Sequence, residues 1–83
     1  IPVVNMSFGG LIGDPDASPI CQAITNLRNN GTITVVAAGN AGQELTNTLP
    51  AACSDAITVG ASAQDGSRTS FSNYGTLVDI TAP

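Results

Sequence analysis

One run governs what this chain can become. Ile33-Thr34-Val35-Val36-Ala37-Ala38 is β-branched or small throughout and carries no charge. β-Branched side chains lose rotamer freedom in a helix and pack well on a pleated surface, so the run predicts a strand. Only Thr34 interrupts its apolar character, which predicts cover on both faces, as in parallel sheets. Gly39-Asn40 ends it.

The residues before the run complete a unit. Residues 1–7 predict a short buried strand with Pro2 near its start, and residues 9–17, rich in Gly, Pro and Asp, predict a loop. Ser18-Pro19 predicts a helix start, with Ser as N-cap and Pro at the first helical position. Ile20, Ala23, Ile24 and Leu27 then recur at helical spacing, with Cys21 on the flank of that stripe. Asn29-Asn30-Gly31 stops the helix, Gly31 supplying the left-handed residue. Strand, helix, strand implies parallel pairing with a right-handed crossover, hence an α/β fold. Beyond Asn40 the pattern predicts a polar loop over 41–55, a strand over 56–61, a turn at Asp65-Gly66, a turn-rich stretch over 70–75 and a last strand over Leu77-Val78-Asp79-Ile80.

Composition limits the chemistry. Arg28 and Arg68 are the only basic residues against six acidic ones, and the formal net charge is -4. Two cations cannot neutralise a run of phosphates, so no nucleic-acid partner is expected. No basic cluster draws the chain to an anionic membrane, and no apolar run approaches the ~18 residues of a span. With no histidine, a Ser-His-Asp or Cys-His machine cannot be complete within the chain. Charged residues make up 10%, against about 25% in ordinary domains. Together with apolar ends, that balance predicts the middle of a larger protein, poorly folded or aggregating by itself. Cys21 and Cys53 are too few for a Cys₄ metal site; two buried thiols and one disulfide both fit.

Ligands of open α/β sheets sit beyond the carboxyl ends of the strands. Two segments leave such ends. Asn40 follows a buried strand and a glycine, so its amide is either an oxyanion donor or a turn cap. Ser7-Phe8-Gly9-Gly10 is either an edge that pairs with an extended peptide or a plain glycine loop. The stretch Gly9 to Gly13 lacks the spacing and the lysine of a phosphate loop. Asp14 and Asp16 read as solvated loop carboxylates. Asp79, if buried, needs a partner such as Arg68 or a cation.

Four blocks carry a resemblance: Val4-Asn5-Met6-Ser7-Phe8-Gly9-Gly10, Val35-Val36-Ala37-Ala38-Gly39-Asn40, Ile57-Thr58-Val59-Gly60-Ala61, and Ser70-Phe71-Ser72-Asn73-Tyr74-Gly75 through Val78-Asp79-Ile80-Thr81-Ala82-Pro83. In their order and spacing the chain resembles the subtilisin family of serine endopeptidases. The resemblance implies a three-layer α/β/α domain with a mostly parallel sheet, of which this chain is part. It implies that Asn40 is the oxyanion-hole asparagine. It implies that Ser7, Phe8, Gly9 and Gly10 pair with the substrate backbone and line one wall of the specificity pocket. Ala37, Ala38 and Gly39 are then the opposite wall, with Thr48-Leu49 near its far end. Asp79, with the carbonyls of Ala51, Cys53 and Ala56, is similar to a weak structural site for calcium or a monovalent cation; catalysis itself is expected to need no cofactor. Cys21 and Cys53 look like a disulfide pair of secreted members.

The resemblance also marks what is absent. The family's catalytic Asp and its H-G-T-H block lie before the matched segments, and its G-T-S-M-A nucleophile block lies after them. The expectation is therefore one internal part, residues 1–83, of a peptidase domain between catalytic His and catalytic Ser. Such a fragment is inactive alone and acts with the remainder of that domain on polypeptide substrates outside the cell. A non-catalytic peptide-binding α/β module, or pseudoprotease, is the alternative.

Overall fold

The computed structural model describes residues 1–83. Four strands form one parallel sheet: β1 (Val3–Met6), β3 (Ile33–Ala37), β5 (Ile57–Ala61) and β6 (Ile80–Ala82), in the order β1-β3-β5-β6. Between β1 and β3 runs the helix α1 (Pro19–Asn29). The expected α/β class with its mostly parallel sheet is what the chain adopts.

Helix α1 begins and ends for the expected backbone reasons, with one difference. Pro19 stands in its first turn, but Ser18 makes no side-chain capping bond; its carbonyl accepts from Gln22 N at 3.0 Å. At the other end Gly31 has φ +86. Gly31 N donates to Arg28 O at 3.0 Å and Thr32 N to Leu27 O at 2.9 Å, the paired bonds of a Schellman stop. The buried side of the helix is rotated from the expected stripe. Cys21 and Ile24 are buried and Ala23 is exposed. The cause is a disulfide between Cys21 and Cys53, with Cα atoms 5.2 Å apart. It draws that flank of the helix toward residues 53–55. There the Thr25 hydroxyl (2.6 Å) and the Arg28 guanidinium both donate to Asp55 and hold its carboxyl below the usual carboxylate range.

The core lies on one side of the sheet. Cys21, Ile24, Val36, Leu45, Leu49, Ala51, Ala52, Cys53 and Ala56 form one buried cluster. The other side is bare. Register places Val3 beside Ile33, Val35 beside Ile57, and Val59 beside Ile80. Val3, Ile33, Ile57 and Ile80 are all exposed. The run 33–38 is thus buried on one face and only half-covered on the other, not covered on both as its composition predicts.

Three further departures concern short segments. Strand β2 (Leu11–Ile12) pairs antiparallel with β4 (Thr48–Leu49) inside stretches that read as loops. The last strand is Ile80–Ala82, not 77–80, because Gly75 (φ +118) and the Val78 N to Gly75 O bond spend residues 75–78 on a turn. Asp79 is exposed and accepts from Thr58 N at 2.8 Å. Arg68 is not its partner: that guanidinium donates to Ser72 O at 2.8 Å and stacks 4.6 Å over Tyr74.

One buried hydroxyl has no partner, that of Thr34, which is 1% exposed. Burying an unpaired hydroxyl is unfavourable, so an apolar group of the same shape is tolerated or better. Thr34→Val in the full-length protein is expected to leave Tm unchanged or raise it, for a stability gain of up to about 1 kcal/mol. Calorimetry checks this, and a clear loss of Tm would mean the hydroxyl has a partner.

Candidate active site

Strands β1 and β3 are parallel neighbours, so their carboxyl ends emerge side by side. The segments leaving them, Ser7 to Gly10 and Ala38 to Asn40, are therefore brought together. Between them lies a cleft of about 380 Å³. Ser7, Phe8, Gly9 and Gly10 form one wall, Ala37, Gly39 and Asn40 the other, and Thr48 and Ala51 contribute further in. No charged side chain lines it. Leu49 instead turns into the core.

Ser7, Phe8, Gly9 and Gly10 take part in no backbone–backbone hydrogen bond. All four are exposed, and their N–H and C=O groups are open to another chain. Asn40 is exposed as well, and its side chain bonds to nothing within the chain. Its placement depends on Gly39, whose φ of +101 turns the backbone sharply out of the strand.

A second trough, of about 310 Å³, lies along the bare side of the sheet. Asn5, Val35, Val59, Ala61 and Ala82 line it, and Ala38 belongs to this trough rather than to the first cleft. Ser7, Ala37, Gly39 and Asn40 border both. Asn40 thus stands on the ridge where two depressions meet.

One residue of the site was not singled out in the sequence. Asn73 is 2% exposed and lines the first cleft. Its Oδ1 accepts from Ala41 N at 3.1 Å and Gln43 N at 3.2 Å, and its Nδ2 donates to Ala38 O at 2.9 Å. Its backbone N donates to Gly39 O at 3.0 Å. The only signal was its place in the block Ser70 to Gly75.

The cation residues are divided. Ala56 and Asp79 line a cleft with Arg28 and Asp55, whereas Ala51 and Cys53 are buried outside it. Ala51 O accepts from the Thr58 hydroxyl at 2.8 Å and Cys53 O from Ala56 N at 3.2 Å. Only Asp79 and Ala56 of the expected set therefore face a common space, as hard oxygen donors of the type that suits calcium or an alkali cation.

The whole chain, residues 1–83, matches the model of the subtilase family, Peptidase S8. The chain belongs to this family. Among curated subtilases, "Subtilisin-like protease 2" of Arthroderma otae is 46% identical over 81 residues, 98% of this chain and 18% of that protein. "Extracellular protease" of Xanthomonas campestris pv. campestris is 41% identical over 98% of this chain and 14% of its own length. "Thermitase" of Thermoactinomyces vulgaris is 42% identical, with 28% of its length matched. The crystal structure of a cold-adapted subtilisin-like serine proteinase superposes with a TM-score of 0.85 at 40% identity, over 98% of this chain and 28% of that one. The chain therefore spans 14% to 28% of the length of these subtilases.

Proposed function

We propose that residues 1–83 are an internal part of a secreted subtilisin-like serine endopeptidase, between its catalytic His and catalytic Ser, and that they supply the oxyanion donor and the substrate-binding walls. The observation that carries this is the ridge: Asn40 borders both the cleft walled by unpaired backbone and the trough on the bare sheet face. An extended polypeptide pairs its backbone with Ser7 to Gly9 as an added strand and seats a side chain in the uncharged cleft. The remainder of the domain covers the bare face as the third layer and brings the nucleophile to the ridge from that side.

The chemistry is acyl transfer. The nucleophile's hydroxyl gives its proton to the catalytic base as its oxygen adds to the scissile carbonyl, whose oxygen takes the charge. The Asn40 amide donates to that oxyanion, stabilising charge that exists only at the tetrahedral stage. The leaving amine takes a proton from the catalytic base, and water then hydrolyses the acyl-enzyme. Residues 1–83 alone hold no acid–base partner for these steps and are expected to hydrolyse nothing. Of the cation set, Asp79 and Ala56 share one cleft; a hard cation held there would serve stability and take no part in the reaction.

The names of the extracellular and cuticle-degrading relatives support export of the parent, where the disulfide is stable. The test uses the full-length protein. It is expected to cleave internal peptide bonds of an unfolded protein substrate and to lose that activity on treatment with a serine-directed sulfonyl fluoride. Binding of the same substrate without cleavage would assign the chain to the non-catalytic peptide-binding class.

A further inference from the structure

Asn40 lacks anchors of its own, and the residue that fixes its loop lies more than thirty positions away. The geometry points to Asn73 as the positioning residue of Asn40; this rests on Asn40 acting as the oxyanion donor. Asn73 holds the loop on both sides of Asn40. Its amide donates to Ala38 O before it and accepts from the N–H groups of Ala41 and Gln43 after it. A carboxamide does both at once: one oxygen with two lone pairs and one nitrogen with protons to give. At 2% exposure little water competes for these bonds, so each is stronger than a surface bond.

The loop is shaped to receive that amide. A Cβ at Gly39 would stand 2.5 Å from Asn73 Nδ2, so the space beside residue 39 is already taken by the Asn73 side chain. Neighbouring backbone bonds close the same seam: Gly42 N to Phe71 O at 2.9 Å and Leu45 N to Tyr74 O at 2.8 Å. Those bonds hold the loop to the segment, while the Asn73 amide fixes residues 38–43, the backbone from which the Asn40 side chain departs. Displacing a catalytic donor by about 1 Å costs roughly 10²-fold in rate. Asn73 touches no reacting atom and acts only through Asn40.

The experiment is a double-mutant cycle in the full-length peptidase, reading kcat and KM separately. Asn73→Ala is expected to lower kcat about 10- to 100-fold and to leave KM within about twofold. In the Asn40→Ala background the same substitution is expected to lower kcat no further, since the donor it positions is gone. Equal losses in both backgrounds, or no loss in the first, would overturn the role of Asn73 while Asn40 keeps its own. An Asn40→Ala enzyme with unchanged kcat would instead remove the oxyanion reading beneath it. Hydrogen exchange on the unmutated enzyme needs no variant to fold: the amides of Ala41 and Gln43 should exchange slowly for an exposed loop. Unprotected rates there would contradict the anchoring.

Discussion

Replacing Asn40 with alanine in the full-length peptidase is expected to lower kcat by about 10²- to 10³-fold, the range known for removing one side-chain oxyanion donor in a subtilisin and carried over here within the family. KM should change little. In the ground state the substrate carbonyl is neutral, and the backbone of Ser7 to Gly10, proposed as the pairing surface, is untouched by the substitution. The amide matters once charge appears on the oxygen, so its loss falls on the transition state. Structure argues for a clean result. Asn40 is exposed and its side chain bonds to nothing in the chain, so alanine removes no packing and leaves no buried group unpaired. Steady-state kinetics on a peptide substrate, with circular dichroism to confirm the fold, decides it. An unchanged kcat would take Asn40 out of the mechanism.

Removing the disulfide should have a comparable effect on stability. Cys21 and Cys53 are 32 residues apart in sequence, and cross-linking a loop of that length restrains the unfolded chain by about 3–4 kcal/mol in the entropy model. Both half-cystines also belong to the buried cluster, at 6% and 3% exposure. The double variant Cys21→Ala, Cys53→Ala therefore loses the tether and some core volume together. In the full-length protein its Tm should fall by several degrees. Scanning calorimetry measures this, with thiol titration confirming that the parent has no free cysteine. A Tm within one degree of the parent would mean that the rest of the domain already fixes α1.

Much of this architecture was legible from local pattern. The helix stop at Gly31 and the strands at Val3–Met6, Ile33–Ala37 and Ile57–Ala61 follow from turn chemistry and runs of β-branched residues. The clustering of Ser7 to Gly10 with Asn40 follows from parallel pairing, which puts both strand ends on one edge. Other features answer to distant partners. Leu11-Ile12 and Thr48-Leu49 are too short to show a period, and they are strands only because they meet. Leu77-Val78-Asp79-Ile80 has the apolar character of a short strand, but Val78 packs on the core and Gly75 commands a turn. Ala23 fits the apolar stripe, yet the bond from Cys21 to Cys53 turns the helix past it. Asn73 is the fullest case. Ser72-Asn73-Tyr74-Gly75 has the composition of any turn, and nothing nearby says that its amide will be spent on residues 38–43.

That distance sets a schedule for synthesis. A nascent chain that has released Asn40 from the ribosome has the chemical group but not the shape around it. Residues 38–43 lack their anchor until Asn73 has also emerged. A ribosome stalled, or a chain cut, between Ala51 and Asn73 leaves every wall residue of the cleft from Ser7 to Ala51 and a loop at Asn40 without its anchor.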